Sequence, residues 1–141
     1  MPHLALYCRV SLSNGTQTTE NQKNRLVDYA EKDGYTFNLY EETESTRKTK
    51  PIKQALLQKL RNKEYDAVVV YKLDRWARSS TELILDTKEL IDKGIGFISI
   101  SDNIDFGTPS GKLHFAILSA FAEFERELIH EIQAFKTELR N

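Results

Sequence analysis

Two clusters of residues in this chain have types and spacings suited to chemistry on a phosphate. The first is Arg9 and Ser11, at the end of the run LALYCRVS. Residues two apart lie on the same side of an extended chain, so a hydroxyl and a guanidinium are presented together. The hydroxyl can act as nucleophile, and the planar fork matches phosphate oxygens. The second is Lys72, Asp74, Arg75 and Arg78 in KLDRWARSS, directly after the most apolar stretch, DAVVVY (66–71). If this segment is the first turn of a helix, Arg75 and Arg78 share a face. A helix N-terminus also welcomes an anion. Asp74 can hold a guanidinium in place or take part in proton transfer. Flanking cations lower the cost of forming an alkoxide and stabilise a pentacoordinate phosphoryl transition state. The three histidines (His3, His114, His130) are scattered, and no HxH, CxxC or carboxylate triad occurs. Arginines would then do what metal ions do in two-metal nucleases.

The elements that must position these residues follow from periodicity. Leu4–Tyr7 is an apolar run with Val10 close behind, as in a buried strand. Ser13-Asn14-Gly15 signals a turn. Thr18 or Thr19 can cap a helix with Leu26, Val27 and Ala30 on one face and Gly34 at its end. Tyr35–Tyr40 alternates as a half-buried strand, and residues 41–50 read as a polar loop. Pro51 suits the first turn of a helix carrying Ile52, Ala55, Leu56, Leu57 and Leu60, to about Asn62. Residues 66–71 read as a central parallel strand. Ser79, Ser80 or Thr81 can cap the next helix, with Glu82 placed for the dipole and Gly94 at its end. Residues 95–100 form a further strand and 102–111 a loop. A long helix starts at about Lys112, with Leu113, Ile117, Ala120, Phe121, Phe124, Leu128, Ile132, Phe135 and Leu139 stepping by threes and fours. Over some 27 residues that stripe runs roughly 40 Å. It overshoots a domain of this size, so its far half needs a partner, most simply a second copy. The fold class is α/β: a mainly parallel four- to five-stranded sheet flanked by helices, with a long C-terminal dimerisation helix. The domains are an α/β unit over 1–111 and an oligomerisation helix over 112–141.

Composition bounds the function. The chain has 141 residues, 40% hydrophobic and 29% charged, with a net charge of -1, so it is not a generally basic nucleic-acid binder. The single cysteine, Cys8, excludes an internal disulfide and fits a reducing compartment. No run approaches a membrane span and no signal peptide is present, which makes the cytoplasm the default location. The chain stops while its last helix is still in progress, as a fragment would.

Several motifs taken together resemble the catalytic domain of serine recombinases, the resolvase/invertase family. They are Tyr7-Cys8-Arg9-Val10-Ser11, Gln17 and Gln22, Asp74-Arg75-Trp76-Ala77-Arg78-Ser79, Gly111, and Ala122-Glu123-Phe124-Glu125-Arg126. Order and approximate spacing match from Leu4 to about Glu131. The resemblance implies that Ser11 attacks the scissile phosphate of double-stranded DNA. It forms a 5′-phosphoserine link, leaving a 3′-hydroxyl. Arg9, Arg75 and Arg78 bind and activate that phosphate, and Asp74 assists. Tyr7, Gln17 and Gln22 support the site, with Lys72 beside it. Glu125 and Arg126 lie on the helix that builds a homodimer, and a tetramer in the synaptic complex. Neither cofactor nor metal is required. The pattern departs in places. The Ser11–Gln17 loop is longer than usual. Lys50 stands where the family places an arginine before Pro51, with Arg47 the nearby alternative as loop phosphate contact. Ile132 replaces another arginine. The family's DNA-binding domain beyond the long helix is absent. The competing readings are another phosphate-binding α/β enzyme and a non-catalytic dimerisation module. A cysteine phosphatase would need an arginine where Asn14 stands. Asp102 and Asp105 are wrongly spaced for a metal-dependent topoisomerase/primase site.

Overall fold

The computed structural model describes residues 2–10, 16–43 and 49–140, with backbone only at 10, 16–20 and 140. The elements follow in the order β1 (His3–Val10), α1 (Thr16–Lys32), β2 (Thr36–Thr43), α2 (Pro51–Arg61), β3 (Ala67–Val70), α3 (Ser80–Asp92), β4 (Gly96–Ser99), β5 (Ile104–Asp105) and α4 (Pro109–Arg140). A 3-10 turn over Leu73–Arg75 lies between β3 and α3. The sheet order is β2-β1-β3-β4-β5. The first four strands are parallel, and β5 pairs antiparallel with β4.

Alternation along β1 divides the core in two. Leu4, Leu6 and Cys8 join Ala67 and Val69 under Leu26 and Ala30 of α1. Ala5 and Tyr7 face the other way, with Val68, Val70 and Phe97, against α2, α3 and the start of α4. The four residues of β3 are all buried because both faces are covered. The chain leaves β1 for β2 on one side and returns to β3 on the other. The carboxyl ends of β1 and β3 therefore flank a topological switch point, where open α/β sheets place ligands.

Local signals explain most boundaries. Gly34 adopts φ 72°, and the bonds Gly34 N–H to Glu31 O (3.0 Å) and Tyr35 N–H to Ala30 O (3.0 Å) close α1. Pro51 opens α2. Ser79 caps α3, its hydroxyl accepting from Glu82 N–H at 3.1 Å. Four expectations need correction. Helix α1 begins at Thr16, ahead of Thr18 and Thr19. Strand β2 runs to Thr43, three residues into the expected loop, because Glu42 is drawn inside. The expected loop at 102–111 contains β5. Helix α4 starts at Pro109 because the Thr108 hydroxyl accepts from Gly111 N–H at 3.0 Å and proline suits the first turn.

Helix α4 packs on the body through Phe115, Leu118 and Ala122. The apolar stripe read from the sequence lies on its open side. Ile117, Phe121, Phe124, Ile132 and Phe135 are about half exposed.

Cys8 is fully buried on β1, and burial, followed by the charge of Glu41, pushes its thiol up to about 11. Two pH units of thiolate population (9.0 to about 11) make the native thiol about 10²-fold less reactive than a free one. Labelling with a disulfide reagent at pH 8 is expected to be slow in the native protein and rapid in denaturant.

Candidate active site

Arg9 sits near the end of β1, and its Nη2 donates to the backbone carbonyl of Asp74 at 2.9 Å. That carbonyl belongs to the peptide unit leading into Arg75, so one bond ties two arginines 66 positions apart. Arg75 is half-buried in the 3-10 turn, its Nε 4.0 Å from Asp74 Oδ1. The Nε atoms of both Arg9 and Arg75 are buried and make no hydrogen bond to any described residue. A buried donor without an acceptor costs about 1–3 kcal/mol. Two of them at the switch point describe a place built for an anion. Their fork geometry suits the oxygens of a phosphate.

The turn carrying Arg75 is anchored at both ends. Asp102 Oδ2 accepts from Leu73 N–H at 2.9 Å and from Ser99 Oγ at 2.7 Å, which pins the turn to the end of β4. Trp76 is fully buried; its ring meets Tyr7 edge-on at 5.1 Å and Phe97 at 5.5 Å. The segment is not the first turn of a helix, so the condition under which Arg75 and Arg78 would share a face is not met. The 3-10 turn ends, the chain extends through Ser79 (φ -130°, ψ 155°), and only then does α3 begin. Arg78 is exposed just ahead of that helix, its N–H donating to Glu82 Oε2 at 3.3 Å. Asp74 turns its carboxylate to solvent, so in this structure it is the Asp74 carbonyl that holds Arg9. Lys72 is exposed beside it.

Tyr7 lies against the Trp76 ring. Its hydroxyl donates to Glu42 Oε1 at 3.4 Å, and burial, then the Glu42 charge, raises its pKa well above the ordinary phenol range. Glu42 in turn accepts from Ile52 N–H (3.2 Å) and Lys53 N–H (3.0 Å), the open end of α2. Gln22 is buried on α1, and its Oε1 has no partner among the described residues. The Gln17 side chain, Arg47 and Ser11 itself lie outside the described residues.

Lys50, expected as a phosphate contact, is turned inward. It is 5% exposed, at φ 46°, and its Nζ donates to Glu82 Oε1 at 2.6 Å. Its charge is engaged by an internal carboxylate. Glu125 is half-buried on α4. Arg126 is exposed and lines a groove of about 300 Å³ between α3 and α4, with Leu85, Phe115 and Ala122.

Glu42, Lys53 and Asp86 did not stand out in the sequence, Asp102 did so only as a discounted metal ligand, and Glu82 only as a dipole partner. Lys53 alone left a signal. It stands in step with Leu56, Leu57 and Leu60 on the buried side of α2. Burial would raise the Glu82 carboxyl, but hydrogen bonds from Lys50 and Lys53, the Lys53 charge and Arg78 N–H hold it down to about 2. A depressed folded-state pKa contributes stability above the ordinary value of 4.5 that is lost as pH falls toward 2. Glu82→Gln is therefore expected to lower the melting temperature at neutral pH. The gap to the wild type should close between pH 4.5 and 2; thermal melts across that range check it.

Among the described residues no cluster of His, Cys, Asp and Glu could hold a metal ion, and no helix is long and apolar enough to cross a membrane.

The model of the resolvase N-terminal domain matches residues 4–138. A DNA-invertase of Escherichia phage P1 is 37% identical over 122 residues, 86% of this chain and 62% of the relative. The serine recombinase gin of Escherichia phage Mu is 38% identical over 125 residues, 89% of this chain and 61% of the relative. The chain thus spans about three-fifths of the length of these relatives. Among solved structures, the N-terminal catalytic domain of TP901-1 integrase superposes with a TM-score of 0.77 at 36% identity, covering 89% of this chain and 98% of that one. A resolvase family site-specific recombinase from Streptococcus pneumoniae gives 0.83 at 25% identity, covering 99% of this chain and 97% of that one. With a family model spanning nearly its whole length, relatives above one-third identity and this fold, the chain belongs to the resolvase N-terminal domain family, the catalytic domains of serine recombinases.

Proposed function

We propose that this chain is the catalytic domain of a site-specific DNA recombinase acting in the cytoplasm. The Ser11 hydroxyl attacks a backbone phosphate, forming a phosphorus–oxygen bond to serine. The bond to the 3′-oxygen breaks, and that oxygen leaves as a hydroxyl once protonated. The 5′-phosphoserine conserves the bond energy, so attack by a 3′-hydroxyl after strand exchange reseals the DNA without ATP. Arg9, Arg75 and Arg78 neutralise the non-bridging oxygens, with Asp74 and Lys72 beside them. The observation that carries this reading is the pair of buried guanidinium Nε atoms at the switch point that have no hydrogen-bond acceptor among the described residues; Arg9, two residues before Ser11, reaches the Asp74 carbonyl beside Arg75. The open apolar side of α4 supports pairing into a homodimer, and two dimers on DNA into a tetramer.

The chain can be joined at its C-terminal end to a zinc-finger module and given nicked duplexes. These carry the finger sites around a randomised centre. A covalent adduct is expected with and without added magnesium, the fingers keeping their zinc throughout, and mass spectrometry of the trapped peptide should place the nucleotide on Ser11. An adduct on any other residue, or dependence on added magnesium, overturns the proposal.

A further inference from the structure

Lys53 occupies a position where a leucine would satisfy packing. It lies on the buried stripe of α2 with Leu56, Leu57 and Leu60, and it is 1% exposed. An ammonium taken out of water is costly unless every proton finds an acceptor. Here it has three acceptor oxygens around it. Nζ donates to the Trp76 carbonyl at 2.9 Å and to Glu82 Oε1 at 2.8 Å, and it forms an ion pair with Asp86 Oδ2 at 2.8 Å. It also lies 4.6 Å from the centre of the Trp76 ring, a cation–π distance. Each of these partners belongs to the single stretch 76–86.

That stretch is the one the arginines depend on. Trp76 stands between Arg75 and Arg78. Its carbonyl accepts from Lys53 at 2.9 Å and, more loosely, from Lys50 at 3.4 Å, and its indole Nε1 donates to Asp86 Oδ2 at 3.1 Å. Glu82, which Lys53 shares with Lys50, accepts the Arg78 N–H through its other oxygen. The carbonyl, the indole and the Arg78 amide are thus all fixed through the buried Lys53 cation, its neighbour Lys50 and two carboxylates. An apolar side chain would fill the space but could not direct a carbonyl. Directional bonds set the turn's rotation, and the guanidiniums follow.

We propose that Lys53 is a positioning residue for the reaction: through Trp76, Glu82 and Asp86 it holds the 75–78 turn so that Arg75 and Arg78 meet the phosphate in register. This rests on the recombinase reading. Lys53 touches no substrate; its effect passes through the turn. Reacting groups displaced by about 1 Å lose on the order of 10²-fold in rate.

The test uses Lys53→Met, which keeps the length of the stem and removes the charge, with Lys59→Met on the same helix as the control. Two readouts are taken on the full chain joined to the zinc-finger module. Single-turnover adduct formation should fall about 10²-fold while DNA affinity, carried by the fingers, stays unchanged. Trp76 is the only tryptophan in the chain, so intrinsic fluorescence reports the turn without DNA. Lys53→Met should shift its emission and increase quenching by acrylamide, and Lys59→Met should not. A folded Lys53→Met protein that forms adduct at the wild-type rate overturns the proposal. Should Lys53→Met fail to fold, Glu82→Gln must reproduce both the slow adduct and the altered emission; a wild-type rate there overturns it equally. If the wild type itself forms no adduct, the recombinase reading has failed. The clamp is then judged by fluorescence alone, and unchanged emission in the folded variants rejects it.

Discussion

Ser11→Ala is expected to leave no covalent protein–DNA adduct, because the atom that forms the bond is gone. Removal of a serine nucleophile costs on the order of 10⁶-fold in other enzymes. The more informative comparison is Arg9→Ala. Arg9 does not form the bond. It supplies a donor already oriented by the Asp74 carbonyl, with a buried Nε that has no acceptor among the described residues. Loss of one preorganised donor costs about 10²–10³-fold, so Arg9→Ala should slow the adduct by that factor and still place it on Ser11. Arg9→Lys should not restore the rate. A lysine can neutralise charge, but it cannot donate to the Asp74 carbonyl and the phosphate through two rigid arms of one fork. Adduct yield against time on nicked duplexes separates the three variants. Adduct formation by Ser11→Ala would remove the chemical core of the proposal.

Gly111→Ala is expected to destabilise the protein by about 3 kcal/mol, at the upper end of the usual overpacking cost. A Cβ on Gly111 would lie 1.7 Å from the carbonyl oxygen of Asp105, 2.4 Å from its carbonyl carbon and 2.7 Å from the Cα of Phe106. All three atoms are backbone, so no side chain can swing aside. The Asp105 carbonyl is further held by the Thr108 N–H at 3.1 Å and the Thr108 hydroxyl at 2.8 Å. The first turn of α4 must therefore lift off β5. Alanine's better helix propensity, about 1 kcal/mol, offsets only part of this. The melting temperature should drop by roughly 10 °C for a chain of this size. Calorimetry checks the size. A variant as stable as the wild type would show that α4 is not seated as tightly as this approach requires.

Gly111 also marks where sequence reading stops. Its place before a long helix was visible in the chain, and so was its match to the family pattern. Its reason was not, since the atoms it must avoid belong to a neighbouring strand whose existence the polar loop concealed. β5 is two residues long and has no period to detect. The stripe on α4 shows the same division. The threes and fours were legible, but the residues that seat the helix on the body are Phe115, Leu118 and Ala122, on another face. A helix with two apolar sides does not announce which is inner.

Legible in the linear chain were the alternation of strands and helices, the parallel sheet, the helix ends at Pro51, Gly34 and Gly94, a cap among Ser79, Ser80 and Thr81, and the candidates for a phosphate contact. These are local matters: side-chain period, backbone conformation and hydrogen bonds within a few residues. Tertiary structure alone decided that Arg9 is held by a carbonyl 65 positions away, that Arg75 and Arg78 part company at an extended residue, and that Lys50 and Lys53 turn inward to Glu82. A charge on an apolar stripe reads as an error until folding brings its acceptors, because a buried ion is stable only with partners that a distant part of the chain supplies.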